Sequence, residues 1–395
     1  MNSSEKRAII ALASIFSLRM LGLFMILPVF ALYAQNLSGV TPTLIGVAIG
    51  AYGLTQALFQ IPFGVISDQW GRKRIIAGGL IIFIFGSIIA ALSTSIWGVI
   101  AGRALQGAGA ISGPIMALAA DLTREDQRTK AMAIIGMSIG ASFALAIVAA
   151  PTVDHLIGVP GIFWLIGILA GCALILLFVV VPNPINKFPN ALNSITVQIQ
   201  RIYQNSELRR INFGIFALHA ILTANWVVVP LILNDYLPRQ HHWWIYLPVL
   251  VLSAIAMTPF IMRADRPGFI SPIFLGSIAL LGISEFLLIP ARNYFFALGL
   301  ILFLFFTALN LLEAILPTLV SKLSPPDAKG TAMGIYSTAQ FFGAFIGGAL
   351  GGWIHGEFGI SGVFILGTLF ACAWLIISWT SPPLNLIWSK SQINT

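Results

Sequence analysis

Residues 43–63 and 75–92 contain no Asp, Glu, Lys or Arg, and between them stands a charged hairpin, Gly64-Val65-Ile66-Ser67-Asp68-Gln69-Trp70-Gly71-Arg72-Lys73-Arg74. Uncharged runs of this length match the roughly 20 apolar residues that a helix needs to cross a bilayer. Two of them flanking a tight charged turn put the turn at a membrane face. The pattern recurs along the chain. Twelve apolar segments are expected to span, near 8–33, 43–65, 75–92, 97–119, 131–152, 161–181, 211–234, 244–262, 269–290, 294–320, 331–354 and 362–380. Composition removes the soluble alternative. With 58% apolar and 9% charged residues, 395 residues cannot clothe a water-soluble surface. The first segment is too long to be a cleaved signal peptide.

The net charge of +8 invites a nucleic-acid partner, but its distribution argues against one. An even number of spans puts both termini on one side. Seventeen of the 21 Lys and Arg fall on that side, among them Arg72, Lys73, Arg124, Lys187, Lys329 and Lys390. Arg239 and Arg292 fall on the other, and Arg19 and Arg103 lie within spans. By the positive-inside rule both termini are cytoplasmic. The basic excess is a topology signal with some attraction to anionic lipid, and no nucleic acid is expected as partner. Cys172 and Cys372 fall inside spans and read as packed apolar thiols. Of the five histidines, none forms a metal-ligand motif.

The chain is written twice at an offset of about 200 residues. Ile15-Phe16-Ser17-Leu18-Arg19 returns as Ile215-Phe216-Ala217-Leu218-His219, and Pro28 as Pro230. Asp126 precedes Met132 by six residues, as Asp327 precedes Met333, and Cys172 and Cys372 sit at matching depth. The expected architecture is an all-α membrane protein of twelve transmembrane helices in two pseudo-symmetric six-helix bundles, residues 1–181 and 211–395. Parallel repeats of this kind commonly place a substrate site between them near mid-membrane. The join, 182–210, carries Leu192, Ile195, Ile199 and Ile202 on one helical face, with Asn193, Gln200 and Gln204 elsewhere. It is read as an amphipathic tether at the cytoplasmic interface.

At this point the chain resembles the major facilitator superfamily. Gly64, Asp68, Gly71, Arg72 and Lys73 match that family's signature between the second and third spans; Gln69 stands where the family usually has a base. Arg103-Ala104-Leu105-Gln106-Gly107-Ala108-Gly109 is similar to its fourth-span signature, which implies a membrane-buried arginine. Ala150-Pro151, after Gly136, Gly140 and Ala144, stands where the drug–proton antiporter group usually shows Gly-Pro. Ser17–Gly22, Gly53–Ala57, Ile61–Gly64 and Gly330–Gly334 look like the YajR subgroup of bacterial exporters, over roughly residues 10–380. That subgroup often appends a soluble C-terminal domain, which a chain ending at Thr395 is expected to lack. The resemblance implies a conformational latch in which Asp68 accepts from the first backbone N–H groups of the eleventh span, near Thr331. Arg72 and Lys73 would pair with Asp121 or Glu125 after the fourth span.

Charges inside spans cost about 2.5–3.5 kcal/mol each on insertion scales, so Arg19, Arg103, Glu285 and Glu313 are functional candidates. Arg103 lies about 9 Å from the outer end of its span, within reach of snorkelling. Arg19 lies deeper and is expected to face a wet cavity or a carboxylate. Thr307, Asn310, Glu313 and Pro317 form one polar stripe on the tenth span. Glu313 is the first candidate for proton loading, because desolvation favours the neutral form of a carboxyl. His219 is the second, as the side chain that titrates nearest physiological pH. Glu285, five residues before Pro290, either serves the same purpose or reaches the outer interface. Gln56, Gln60 and Gln340 either offer amides to a substrate or bond across helices. Trp226, Tyr52 and Tyr336 offer aromatic surface, whereas Trp97, Trp243 and Trp244 suit an interfacial belt.

No Gly-x4-Gly-Lys-Ser/Thr loop is present, which argues against ATP as the driver. The expected function is secondary transport. The leading reading is proton-coupled export of an amphipathic small molecule by a monomer in a bacterial inner membrane, with the proton gradient as energy source and no cofactor. A facilitator or nutrient importer on the same fold is the alternative. A membrane enzyme or a receptor is a different class, disfavoured by the sparse histidines and the short tail.

Overall fold

The computed structural model describes residues 1–183, 192–264, 266, 268–325 and 328–381, with the side chains of residues 129 and 192–195 excepted. Lys187, Lys390 and Asp327, and the side chains of Leu192, Asn193 and Ile195, therefore lie outside the described residues. In hydrocarbon a backbone must satisfy its own hydrogen bonds, and the described chain does so as helix. In order these are α1 (Ser3–Met25), α2 (Leu27–Ala34), α3 (Pro42–Trp70), α4 (Arg72–Leu92), α5 (Ile96–Ala108), α6 (Ser112–Asp121), α7 (Arg128–Val179), α8 (Leu192–Gln204), α9 (Ser206–Asn234), α10 (Trp243–Ala264), α11 (Ile270–Ala291), α12 (Phe295–Leu323) and α13 (Lys329–Thr380).

Local chemistry sets the ends. Asn2 Oδ1 accepts from the Glu5 N–H at 2.8 Å while Glu5 Oε2 accepts from the Asn2 N–H at 2.7 Å, which starts α1 with a reciprocal cap. Thr41 caps α3 with Pro42 at its first turn. The 52-residue helices α7 and α13 would each extend about 78 Å if straight, far beyond a bilayer core. Each folds back instead at a glycine in the left-handed region, Gly158 at φ 69° and Gly359 at φ 70°. The fold-back of α7 shows in its partners. Gln127 accepts from the Met1 ammonium at 3.0 Å, Phe143 packs edge-on to Phe24 at 5.1 Å, and Val181 accepts from Lys73 at 2.7 Å. Counting both limbs of α7 and α13, the α1–α2 pair and the broken α5–α6 pair as one pass each, the described residues make twelve passes, six in each half.

The halves meet at the end remote from the termini. There α3 and α13 touch backbone to backbone: a Cβ built on Gly46 would lie 1.9 Å from the Gly348 carbonyl oxygen, and one on Gly348 would lie 2.5 Å from that of Gly46. Tyr52 and Phe341 end this seam with rings 6.1 Å apart. Across the same end Arg239 Nη2 donates to the Leu32 carbonyl at 3.4 Å. Toward the termini, side chains added at Gly64 of α3 or at Gly330 and Gly334 of α13 would meet open space.

One expectation changes on facing. Cys172 and Cys372 are exposed on the outer surface, not packed inside. They lie on the second limbs of α7 and α13, and lipid accepts an apolar thiol as readily as a core does. In α8, Ile202 is buried against the protein while Val197 and Tyr203 are exposed.

Candidate functional site

The hairpin turns at Gly71, whose φ of 95° no side-chain-bearing residue adopts without strain. Arg72 Nε then lies 2.5 Å from Oδ2 of Asp121, the last residue of α6, and Arg72 Nη1 pairs with Asp68 and donates to Ser67 Oγ at 3.2 Å. Lys73 does not pair with Asp121 or Glu125. It donates to the Val181 carbonyl and lies 5.7 Å from the Phe178 ring. Asp68 does not reach α13 either, because α3 and α13 stand apart at this end. Thr331 donates instead to Gln198 Oε1 of α8, at 2.5 Å. Nearby, Arg124 Nε donates to Glu5 Oε1 at 3.0 Å, and that bond holds the Arg124 guanidinium above its ordinary value.

Arg19 is fully buried, and what holds it is neither a carboxylate nor a wet cavity. Its Nη2 donates to Gln56 Oε1 at 2.7 Å and to the Gly109 carbonyl at 2.9 Å, and Nη1 to Ser112 Oγ at 3.4 Å. The Gly109 carbonyl is free because the fourth span breaks between α5 and α6. Gln56 is braced in turn by Tyr52 OH at 3.2 Å and by Gln60 at 2.7 Å. Gln56 and Gln60 thus serve Arg19 and are not open to a cavity. Arg103 is also buried, not snorkelling. It donates to Gln106 Oε1 at 3.0 Å and to the Ile49 carbonyl at 3.4 Å. The Tyr52 ring lies 5.6 Å from the Arg19 guanidinium and 5.3 Å from that of Arg103. Aromatic surface and neutral oxygens take the place of a counter-charge.

In the second half, His219 of α9 occupies the position of Arg19. Its Nε2 lies 3.3 Å from Glu313 Oε1 of α12 and 2.8 Å from Gln340 Nε2 of α13. Glu313 is 34% exposed, and this cluster joins three helices at one half-open carboxylate. The stripe on α12 divides: Asn310 donates to Ser253 Oγ of α10 at 3.0 Å, while Thr307 bonds back to its own helix at Phe303. Trp226 is buried against Tyr246 and Phe306, and Tyr336 is buried beside the cluster, so neither offers an open aromatic face here. Glu285 does not reach an interface. It is fully buried and accepts from Asn225 Nδ2 at 2.6 Å. Asn225, Ser112 and the Gly109 carbonyl were not singled out in the sequence. Only the glycines of Gly107-Ala108-Gly109 could have signalled the last of them. Among the described residues, no group of three His, Cys, Asp or Glu could hold a metal ion.

The Major Facilitator Superfamily profile matches residues 12–212 and again 211–391. The chain is 47% identical to the Inner membrane transport protein YajR of Escherichia coli K12 over 387 residues, which is 97% of this chain and 85% of that protein. It is 37% identical over 100 residues to the E. coli Multidrug resistance protein D, 25% of each chain. A solved bacterial homologue of the human lysosomal transporter Spinster, in an inward-facing and occupied conformation, has a TM-score of 0.80 at 12% identity. It covers 96% of this chain and 97% of that one, a likeness of fold alone. Matched across both halves, and nearly end to end by a relative of this identity, the chain belongs to the major facilitator superfamily of membrane transporters.

Proposed function

We propose that this transporter exports amphipathic small molecules in exchange for protons, as a monomer in a bacterial inner membrane with both termini in the cytoplasm. The observation that carries the reading is the Glu313–His219–Gln340 cluster, where a carboxylate left about one-third uncovered stands 3.3 Å from an imidazole. Such a pair can take a proton from water and hold it between two helices, and its charge state then alters how α9, α12 and α13 pack. A membrane potential of 100 mV supplies about 2.3 kcal/mol per charge moved, enough to bias a cycle.

The packing supports alternating access. The halves are locked at one end through Gly46 and Gly348 and stand apart at the end that bears the termini. With the basic loops assigned to the cytoplasm, this is a state open inward, the state named for the Spinster homologue. Residues 1–181 and 211–395 act as the two rocking halves and 182–210 as the tether. The Arg72–Asp121–Asp68 group is the latch in its released form. The short relationship to a multidrug resistance protein favours export of varied compounds.

Transport of amphipathic dyes such as ethidium into inverted vesicles, with and without an imposed pH gradient, tests the reading. Gradient-dependent accumulation that disappears in Glu313→Gln is expected. Equal fluxes with and without the gradient would instead point to a facilitator, and overturn the proposal.

A further inference from the structure

Glu285 is a buried carboxylate that the proposed cycle does not use. Glu313 is partly exposed; Glu285 is fully enclosed among α9, α11 and α13. Its Oε1 accepts from Asn225 Nδ2 at 2.6 Å, and its Oε2 has no partner. Asn225 is itself 4% exposed, and its Oδ1 also lacks a partner. The neighbouring spans α9, α10, α12 and α13 carry the titratable and charged groups Glu207, Arg209, Arg210, His219, Tyr246, Arg263, Glu313, Lys322, Lys329, Tyr336, His355, Glu357 and Cys372, and among the described residues none of these bonds to Glu285. Among the described residues the polar partner of this carboxyl is therefore a neutral amide alone. An isolated ionised carboxylate in such surroundings is strongly disfavoured, and neutralisation is its ordinary escape.

We propose that Glu285 and Asn225 form a proton-binding pair inside the second half, separate from the Glu313 cluster. Two facts select a proton as the occupant. The first is the count of hydrogen-bonding atoms: two acceptor oxygens, Glu285 Oε2 and Asn225 Oδ1, lack a donor, and a proton on Oε2 supplies it. Acid and amide then exchange two hydrogen bonds, Asn225 Nδ2 to Oε1 and Oε2–H to Oδ1. The second is space. Oε2 is pressed against α13 at Gly367, where a built Cβ would lie 2.3 Å from it. A proton fits there; a sodium ion with its shell of oxygen ligands does not. The site stands whether or not Glu313 couples transport.

Infrared difference spectroscopy on the full-length protein in lipid nanodiscs, across a pH titration, reads the protonated carboxyl directly. A carboxylic-acid carbonyl band at neutral pH is expected in Glu313→Gln, where the other buried carboxyl is removed, and absent when Glu285→Gln is added to Glu313→Gln. Asn225→Ala should move the band to higher frequency, because the acid loses its amide partner. If Glu285→Gln leaves the carboxylic-acid region unchanged, the residue is ionised and the proposal is overturned. Should Glu285→Gln not fold, a band that does not move in Asn225→Ala overturns it equally. Thermal stabilisation by sodium over choline chloride, seen in the wild type and lost in Asn225→Ala, would show a metal cation in place of the proton.

Discussion

His219 Nε2 stands 3.3 Å from Glu313 Oε1 and 2.8 Å from Gln340 Nε2, so one ring nitrogen faces both an acceptor and a donor. It can serve only one of them at a time. With Nε2 bare, the imidazole accepts from the Gln340 amide; with Nε2 protonated, it donates to the Glu313 carboxylate. The contact is thus a choice made by proton occupancy. Removing either end should uncouple transport. Glu313→Gln is expected to lower gradient-driven flux at least tenfold, equivalent to about 1.4 kcal/mol or more on the limiting barrier. His219→Gln should keep substrate binding, measured by dye fluorescence, while flattening its dependence on pH. Unchanged pH dependence in His219→Gln would remove the imidazole from the mechanism.

The seam between Gly46 and Gly348 has no room for even a methyl group, since the built Cβ of Gly46 falls 1.9 Å from the opposing carbonyl oxygen. Gly348→Val should therefore wedge the halves apart at the end remote from the termini. Overpacking typically costs about 1–3 kcal/mol. Placed on a two-state equilibrium, about 2 kcal/mol shifts the populations roughly thirtyfold. Cysteines placed beside Pro42 and Gly356 should label faster from the outer side in this variant. Labelling no faster than in the parent would show that the seam is not what holds this state shut.

The spans were legible because a bilayer demands long uncharged runs, and the hairpin because Gly71 and three bases interrupt them. Facing was not legible, because lipid and protein interior are both apolar. Cys172 and Cys372 illustrate this: their depth could be read, but not their outward aspect. Pairing was not legible either. His219 and Glu313 stand out singly as polar residues in apolar spans, yet 94 positions separate them and no local pattern ties α9 to α12. Asn225 gave no warning at all, because a lone amide looks the same whether it packs or braces a carboxylate. The sequence reading ran one span through 97–119, so the break at Gly109 and its use as an acceptor for Arg19 at 2.9 Å came only with the structure.

The Arg19 cluster makes a prediction about stability. Gln56→Leu removes a bond of 2.7 Å to a buried guanidinium and should cost about 1.5–3 kcal/mol. Arg19→Met removes the charge itself and should cost less. Because the two residues share one network, Arg19→Met combined with Gln56→Leu should be more stable than Gln56→Leu alone. Thermal unfolding of the detergent-solubilised variants checks this ordering. Simple additivity would show that the guanidinium does not depend on the amide.

Asp68 and Asp121 share Arg72 but should respond differently to neutralisation. Asp121 has 10% of its side chain exposed and meets Arg72 Nε at 2.5 Å, holding the turn onto the end of α6. Asp68 is 38% exposed and, among the described residues, is bound within its own hairpin. An exposed pair of that kind contributes about 0–1 kcal/mol. Asp68→Asn should therefore insert and unfold like the parent, yet fall in transport by about tenfold or more if the proposed latch closes through its carboxylate. Asp121→Asn should lower thermal stability as well as transport, because Arg72 then loses its better-buried partner. Comparing melting temperature with flux separates the two roles. Full transport by Asp68→Asn would show that the hairpin carboxylate takes no part in closure.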